Sequence, residues 1–135
     1  MLQLTKQGDY AIRTVIELSK QIPNAVVPTK QIASAQNIPE VYLTKIVQML
    51  VRSGILETIR GARGGVRLLR NPKELNFRHV IEAVEGPIAL NRCIESSMRC
   101  DRTQTCDTHP AWKTINQKLI EELEKVTFDT LIKHK

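Results

Sequence analysis

Cys93, Cys100 and Cys106 are the only cysteines of the chain, fall within fourteen positions, and are followed by His109 in the pattern C-x6-C-x5-C-x2-H. Three thiols and an imidazole are the donor set of metal ligation or thiol redox chemistry. The segment that carries them, NRCIESSMRCDRTQTCDTHPAW (residues 91–112), is too polar for a core, with Arg92, Glu95, Arg99, Asp101, Arg102 and Asp107 among the thiols. Inert cysteines are ordinarily buried in apolar surroundings, so these three are expected to react or to ligate. At the N-terminus, MLQLTKQGDYAIR meets Asp9 and Arg13 before a signal-peptide core can form. A reducing, cytoplasmic setting is therefore expected, where an odd cysteine count argues against a disulfide framework.

Three chemistries fit the pattern, in descending order. An iron–sulfur cluster suits thiolates spread along a wrapping loop, and a fourth ligand other than sulfur leaves it tunable and labile. A structural zinc accepts three sulfurs and one imidazole but commonly uses closely paired cysteines, and no such pair occurs here. A thiol switch needs a stabilised thiolate, which neighbouring arginines can supply.

The elements that position this segment are legible in charge and periodicity. A chain of 135 residues supports one core or two small lobes. Its 41% hydrophobic and 25% charged content excludes the disordered class, and no apolar run reaches membrane-spanning length. The net charge of +6 is uneven: residues 1–70 carry ten Lys and Arg against four acids, residues 71–135 ten of each. Between Arg52 and Arg70 five arginines meet only Glu57, a footprint suited to phosphates. Aromatic content of 4% leaves little for stacking single-stranded bases, so duplex DNA is the better partner.

Ala11, Val15, Leu18 and Ile22 predict a first helix ending before Pro23, and Thr29 a cap for a short second helix that buries Ile32 with Ala33 or Ala35. Pro39 suits the first turn of a third helix. Its apolar arc is Leu43, Ile46, Val47 and Leu50, opposite Thr44, Lys45, Gln48 and Arg52. Alternation in Ile55–Arg60 and Val66–Arg70, with glycines between, predicts a hairpin. Helices followed by a basic hairpin make a winged helix-turn-helix, mainly α with a small β-hairpin wing, in which the third helix enters the major groove. Thr44, Lys45 and Gln48 are then the candidates for base readout, Thr29 and Tyr42 for bracing phosphates, and Arg52, Arg60, Arg63 and Arg67 for further DNA contact.

Farther along, Asn76 caps a linking helix that Gly86 ends, with His79 inside it assigned no site. Pro110 opens a last helix striped by Trp112, Ile115, Leu119, Leu123 and Val126. A stripe of that size predicts a homodimer reading a pseudo-palindromic operator, with Asn116 a candidate for fixing register at the seam. The expected organisation is a winged half (1–72), a linking helix (73–90), a cluster-binding loop (91–109) and a dimerisation helix with tail (110–135). Neither a Ser-His-Asp pattern, a phosphate-binding glycine loop nor paired carboxylates emerge, so no enzyme is expected. A small electron carrier would not need the basic half.

Nearly the whole chain resembles the iron–sulfur winged-helix transcription regulators of the IscR and NsrR type, through LTKQGDYAIR, VRSGILETIRGARGGVRL and VIEAVEGP in that order, then three cysteines before the last helix. The resemblance implies that Cys93, Cys100 and Cys106 ligate an iron–sulfur cluster, that the last helix forms the dimer, and that cluster state sets DNA affinity, by repression, in response to redox state, iron or cluster supply, or nitric oxide. CDTHPAW is similar to the IscR-like pattern in which a histidine, here His109, completes a two-iron two-sulfur site. Asp9 stands where NsrR-like members carry an aspartate that reaches a four-iron four-sulfur cluster. The six-residue gap between Cys93 and Cys100 departs from the five expected of IscR-like chains. His109 with the smaller cluster stays slightly ahead of Asp9 with the larger.

Overall fold

Thr5 starts the first helix, α1 (Lys6–Ser19), by accepting the Gly8 amide hydrogen through its side chain at 3.1 Å. The structure is a computed structural model that describes residues 2–95 and 105–132. Ala11, Ile12, Val15 and Leu18 are buried along α1. Ile22, expected to extend that stripe, is instead 78% exposed, because α1 stops at Ser19 and the chain ahead of Pro23 leaves helical conformation.

α2 (Thr29–Gln36) begins at Thr29 itself. Pro28 holds the cap position in extended geometry and offers no side-chain acceptor, so Thr29 is a first-turn residue rather than the cap. Ile32 and Ala33 are buried and Ala35 exposed. Asn37, left-handed at φ 54°, ends α2, and Pro39 precedes α3 (Glu40–Arg52) by one residue. The expected arc of α3 is the buried one: Leu43, Ile46, Val47 and Leu50.

The wing is β1 (Leu56–Ile59) paired antiparallel with β2 (Gly65–Leu68), Leu56 opposite Leu68 and Ile59 opposite Gly65. Val27 adds a bridge on the other side of β2, exchanging hydrogen bonds with Val66 at 2.9 Å in both directions. That approach demands glycine next door: a Cβ on Gly65 would lie 2.2 Å from the Val27 carbonyl oxygen.

α4 (Phe77–Glu85) turns its apolar face, Val80, Ile81 and Val84, onto the core and packs against α1 and α3. Beyond it the segment expected to be a loop contains a short helix, α5 (Arg92–Glu95), and ends at His109, the first residue of α6 (His109–Lys125), with Pro110 second. The chain then returns. Thr127 bridges to Asn76, and α7 (Phe128–Ile132) packs on α1. Phe128, fully buried, meets Phe77 with ring centroids 5.4 Å apart. No helix among the described residues is long and apolar enough to cross a membrane.

His79 has a structural task. The Asn76 side chain accepts from the His79 amide at 3.0 Å, and the His79 ring, through Nδ1, accepts from the Asn76 amide at 3.2 Å. This reciprocal cap needs a neutral ring. Desolvation by burial, then the Arg70 and Arg78 charges, hold the His79 pKa below its ordinary 6.5. The unfolded chain therefore takes up this proton first as pH falls through 6.5, and the folded state loses stability on the acid side. Between about pH 7.5 and about pH 5.5 the melting temperature is expected to fall less for His79→Gln, which keeps an acceptor at this position without titrating, than for the wild type. Equal falls in calorimetry would show that the cap does not feel the proton.

Candidate functional site

Two sets of residues matter, one in the winged half and one around the cysteines. In the winged half three of the four acids are held by neighbours: Asp9 by Arg13 at 2.9 Å, Glu17 by Lys20 at 2.8 Å, and Glu57 by Arg67 across the wing. What remains is Lys6, Lys30, Lys45, Arg52, Arg60, Arg63 and Arg70 against Glu40. Local pairing thus removes most of the negative potential from the surface that a polyanion would meet.

The sequence-predicted residues fall into three places. Thr29 and Arg60 line one open cleft of about 460 Å³ between the start of α2 and the wing, together with Lys30, Thr58, Gly61 and Gly64. The uncapped start of α2 offers first-turn amides there, which suits phosphate oxygens. Lys30 is a residue the sequence reading missed, although its place beside Thr29 as the one charged residue of α2 could have suggested it. Thr44, Lys45 and Gln48 are exposed together on the outer face of α3. The Thr44 hydroxyl donates to the Glu40 carbonyl at 3.0 Å. Tyr42, 47% exposed, meets the Tyr10 ring edge-on at 5.7 Å, and Tyr10 in turn lies under the Arg13 guanidinium at 4.8 Å.

The other arginines separate. Arg52 ends α3, roughly 18 Å along the helix axis from Glu40, and does not share the base-reading end. Arg63 is exposed in the wing's turn. Arg67 is occupied by Glu57, directly opposite it in strand register, so its charge is already partnered.

Around the cysteines, Cys93 rides on α5, which packs on α6. With its amide turned to accept, Asn91 takes the Trp112 indole hydrogen at 3.0 Å, a second tie between the two. Cys106 stands in the turn entering α6, its sulfur 3.2 Å from the Thr108 hydroxyl and its carbonyl accepting the His109 amide at 3.4 Å. Both thiols are half-buried. Cys100 lies outside the described residues. The His109 Nδ1 is buried and has no hydrogen-bond partner among the described residues, an arrangement that costs free energy unless something else occupies that nitrogen. No three His, Cys, Asp or Glu side chains among the described residues gather as a metal site. The thiols of Cys93 and Cys106 and the orphaned imidazole nitrogen are donors that fit a thiophilic metal centre.

Asp9 is differently placed. It sits in the first turn of α1, favourable to the helix dipole, with its carboxylate on Arg13. Arg13 also donates to the Gln36 carbonyl, just before the turn into α3, at 2.7 Å.

Asn116 does not serve the seam expected of it. It is buried within the protomer, accepting from the Leu90 amide at 2.9 Å and donating to the Ile88 carbonyl at 3.1 Å. Asn116 and Ile120 form the buried line of α6, whereas Ile115, Leu119 and Leu123 line an apolar groove of about 750 Å³ with Leu2, Leu4, Ile12, Phe77, Ile81 and Ile88.

The family model described as Rrf2, an iron-dependent transcriptional regulator, matches residues 4–134. The chain is 34% identical over 110 residues to the HTH-type transcriptional regulator NsrR of Shouchella clausii, covering 82% of this chain and 70% of that protein. It is 28% identical to the HTH-type transcriptional regulator IscR of Pectobacterium atrosepticum, covering 99% of this chain and 81% of that one. Among solved structures, CymR, the global cysteine regulator of B. subtilis, superposes with a TM-score of 0.80 at 29% identity, covering 100% of this chain and 99% of CymR.

Substituting Lys30 or Arg60 by alanine is expected to weaken duplex binding and to lower the slope of log affinity against log salt by about one each. Arg67→Ala should move that slope less, because Glu57 already neutralises it. Filter binding across a salt series measures all three, and an unchanged slope for Lys30→Ala and Arg60→Ala would remove phosphate contact from the cleft.

Proposed function

The chain belongs to the Rrf2 family of iron-dependent transcriptional regulators, and it is a DNA-binding regulator of transcription; from this premise we propose that it acts as a homodimeric repressor controlled by an iron–sulfur cluster. The ligands in this reading are Cys93, Cys100, Cys106 and His109, with a two-iron two-sulfur centre favoured over a four-iron one and the duplex operator pseudo-palindromic. The observation that carries it is the buried His109 Nδ1 at the head of α6, three residues after Cys106 and without a hydrogen-bond partner among the described residues. The likeness to proteins named IscR and NsrR supports the same reading. When bound, the cluster supplies bonds that oxidation, iron loss or nitric oxide can break.

The chain's own residues carry the consequence. Shared ligation would fasten Cys93 on α5 to His109 on α6, adding to the Asn91–Trp112 contact. Asn116, farther along α6, holds the backbone at Ile88 and Leu90, where the chain leaves α4. Fastening α5 to α6 therefore stabilises one setting of the linker against α4, on which the winged half also rests. Asp9 as fourth ligand would have to leave Arg13, whose other bond secures the turn into α3; the His109 Nδ1 gives up no partner among the described residues.

The same groove that leaves Ile115, Leu119 and Leu123 half-covered supports a dimer formed by α6 of a second copy. Two winged halves then address two half-sites about one helical turn apart. Sedimentation at micromolar concentration is expected to give a dimer, and Leu119→Asp a monomer with unchanged helical content by circular dichroism; a wild-type monomer would reject the assembly.

Protein purified without oxygen is expected to be coloured and to contain iron and acid-labile sulfide. His109→Ala should change the visible spectrum and speed cluster loss on the order of tenfold, while Asp9→Ala leaves the spectrum alone. A colourless protein with one zinc per chain would instead establish a structural metal, and a colourless metal-free one a thiol sensor.

A further inference from the structure

Val41 is 73% exposed in the first turn of α3. A β-branched side chain there neither packs nor favours the helix. It is not overflow from the core, since Leu43, Ile46, Val47 and Leu50 already fill the buried arc of the same helix. Three residues on, the Thr44 hydroxyl spends its hydrogen on the Glu40 carbonyl at 3.0 Å, so toward an outside partner Thr44 offers an oxygen lone pair and a methyl but no donor. Residues three apart share a helix face. Val41 and Thr44 thus form a small apolar strip at the N-terminal end of a face that continues through Lys45 and Gln48, all exposed.

In the major groove the apolar group presented by base edges is the 5-methyl of thymine; the others are hydrogen-bond donors and acceptors. The N-terminal end of the recognition helix is the part that meets base edges. Val41 and Thr44 occupy that end, and Lys30 and Arg60, which form no ion pair among the described residues, line the cleft between α2 and the wing, where they can hold the backbone. We propose that Val41, with the methyl of Thr44, is a specificity-determining contact for a thymine 5-methyl in each half-site; this rests on the reading of α3 as the base-reading helix. Gln48, one turn beyond Thr44, suits an adenine on the same groove wall. The preferred half-site therefore holds a thymine whose methyl, rather than its hydrogen-bonding edge, is recognised.

The test begins with duplex DNA enriched from a random pool on the purified protein. The selected site is resynthesised with deoxyuridine replacing each thymine in turn, which deletes the methyl alone. A deoxyuridine in one half-site is expected to weaken wild-type binding about fourfold, the loss of one buried methyl, and one in each half-site about fifteenfold. Val41→Ser should bind the thymine site more weakly and fail to distinguish thymine from deoxyuridine. Equal wild-type affinity for the two duplexes would overturn the proposal, as would undiminished discrimination by Val41→Ser or selected half-sites without a fixed thymine. No enrichment of any sequence would instead overturn α3 as a base reader, and this contact with it. The deoxyuridine arm needs no variant, so a folding defect in Val41→Ser cannot mask the result.

Discussion

The apolar face of α4 is the surface on which the two halves of the protein meet. Val80 is inaccessible to solvent and Ile81 and Val84 are 7% exposed, and α1, α3 and α6 all pack on this one helix. At about 2 kcal/mol for each buried aliphatic side chain, exposing the face would cost much of a domain's net stability. No neighbour can leave α4 without another moving in. Because interiors are close-packed and repack rather than compress, a shift of α6 is felt at α1 and α3 as displacement. α3 and α6 thus share a wall, and the polar devices around it serve to keep their relation fixed.

Asn116 is the most exacting of those devices. A buried amide inside an apolar line is costly unless both ends are bonded, and here both are, to the Ile88 carbonyl and the Leu90 amide. The linker has no regular structure of its own to satisfy these groups. One side chain therefore does for the linker what a helix would do for itself, and it makes the path from α4 to α5 a single conformation. On the DNA side the corresponding device is charge pairing. Asp9, Glu17 and Glu57 are each engaged by a neighbouring cation, so the exposed cations of α2, α3 and the wing act with little internal opposition.

Much of this was legible from residue order. The buried arc of α3, the Asn76 cap and the basic hairpin follow from periodicity, cap chemistry and glycine placement, and all occur as read. Interactions whose partners are distant left weaker traces. The Val27 bridge is one residue long and has no alternation to reveal it. Phe128 reads as tail yet is fully buried, because its partner Phe77 lies fifty-one residues earlier. The stripe read on α6 left out Ile120, which packs inward beside Asn116, while Ile115 of that stripe is half exposed: residues three and four apart are compatible with two neighbouring lines, and only packing tells which one is buried. At the candidate site the donors announced themselves by type, since polar surroundings exclude inert thiols. Their arrangement did not, because C-x6-C-x5-C constrains no angle. Arg67 shows the opposite failure, a charge that looked available until strand register set Glu57 across from it.

The size of α5 explains how modest bonds there can govern a larger structure. Four residues make barely one helical turn, far below the roughly twelve at which an isolated helix becomes marginal in water. Arg92–Glu95 therefore holds its form through what touches it: the packing on α6 and the Asn91 contact to Trp112. An element so weakly self-supporting is the part of the fold that a few kcal/mol can order or release, so the proposed ligation at Cys93 would act where the chain is most responsive. The same energy applied to α4, buried among three neighbours, would change nothing measurable. Sensitivity belongs to the marginal element and transmission to the rigid one, and the chain places them in sequence, with the Ile88–Leu90 linker and its Asn116 clamp between.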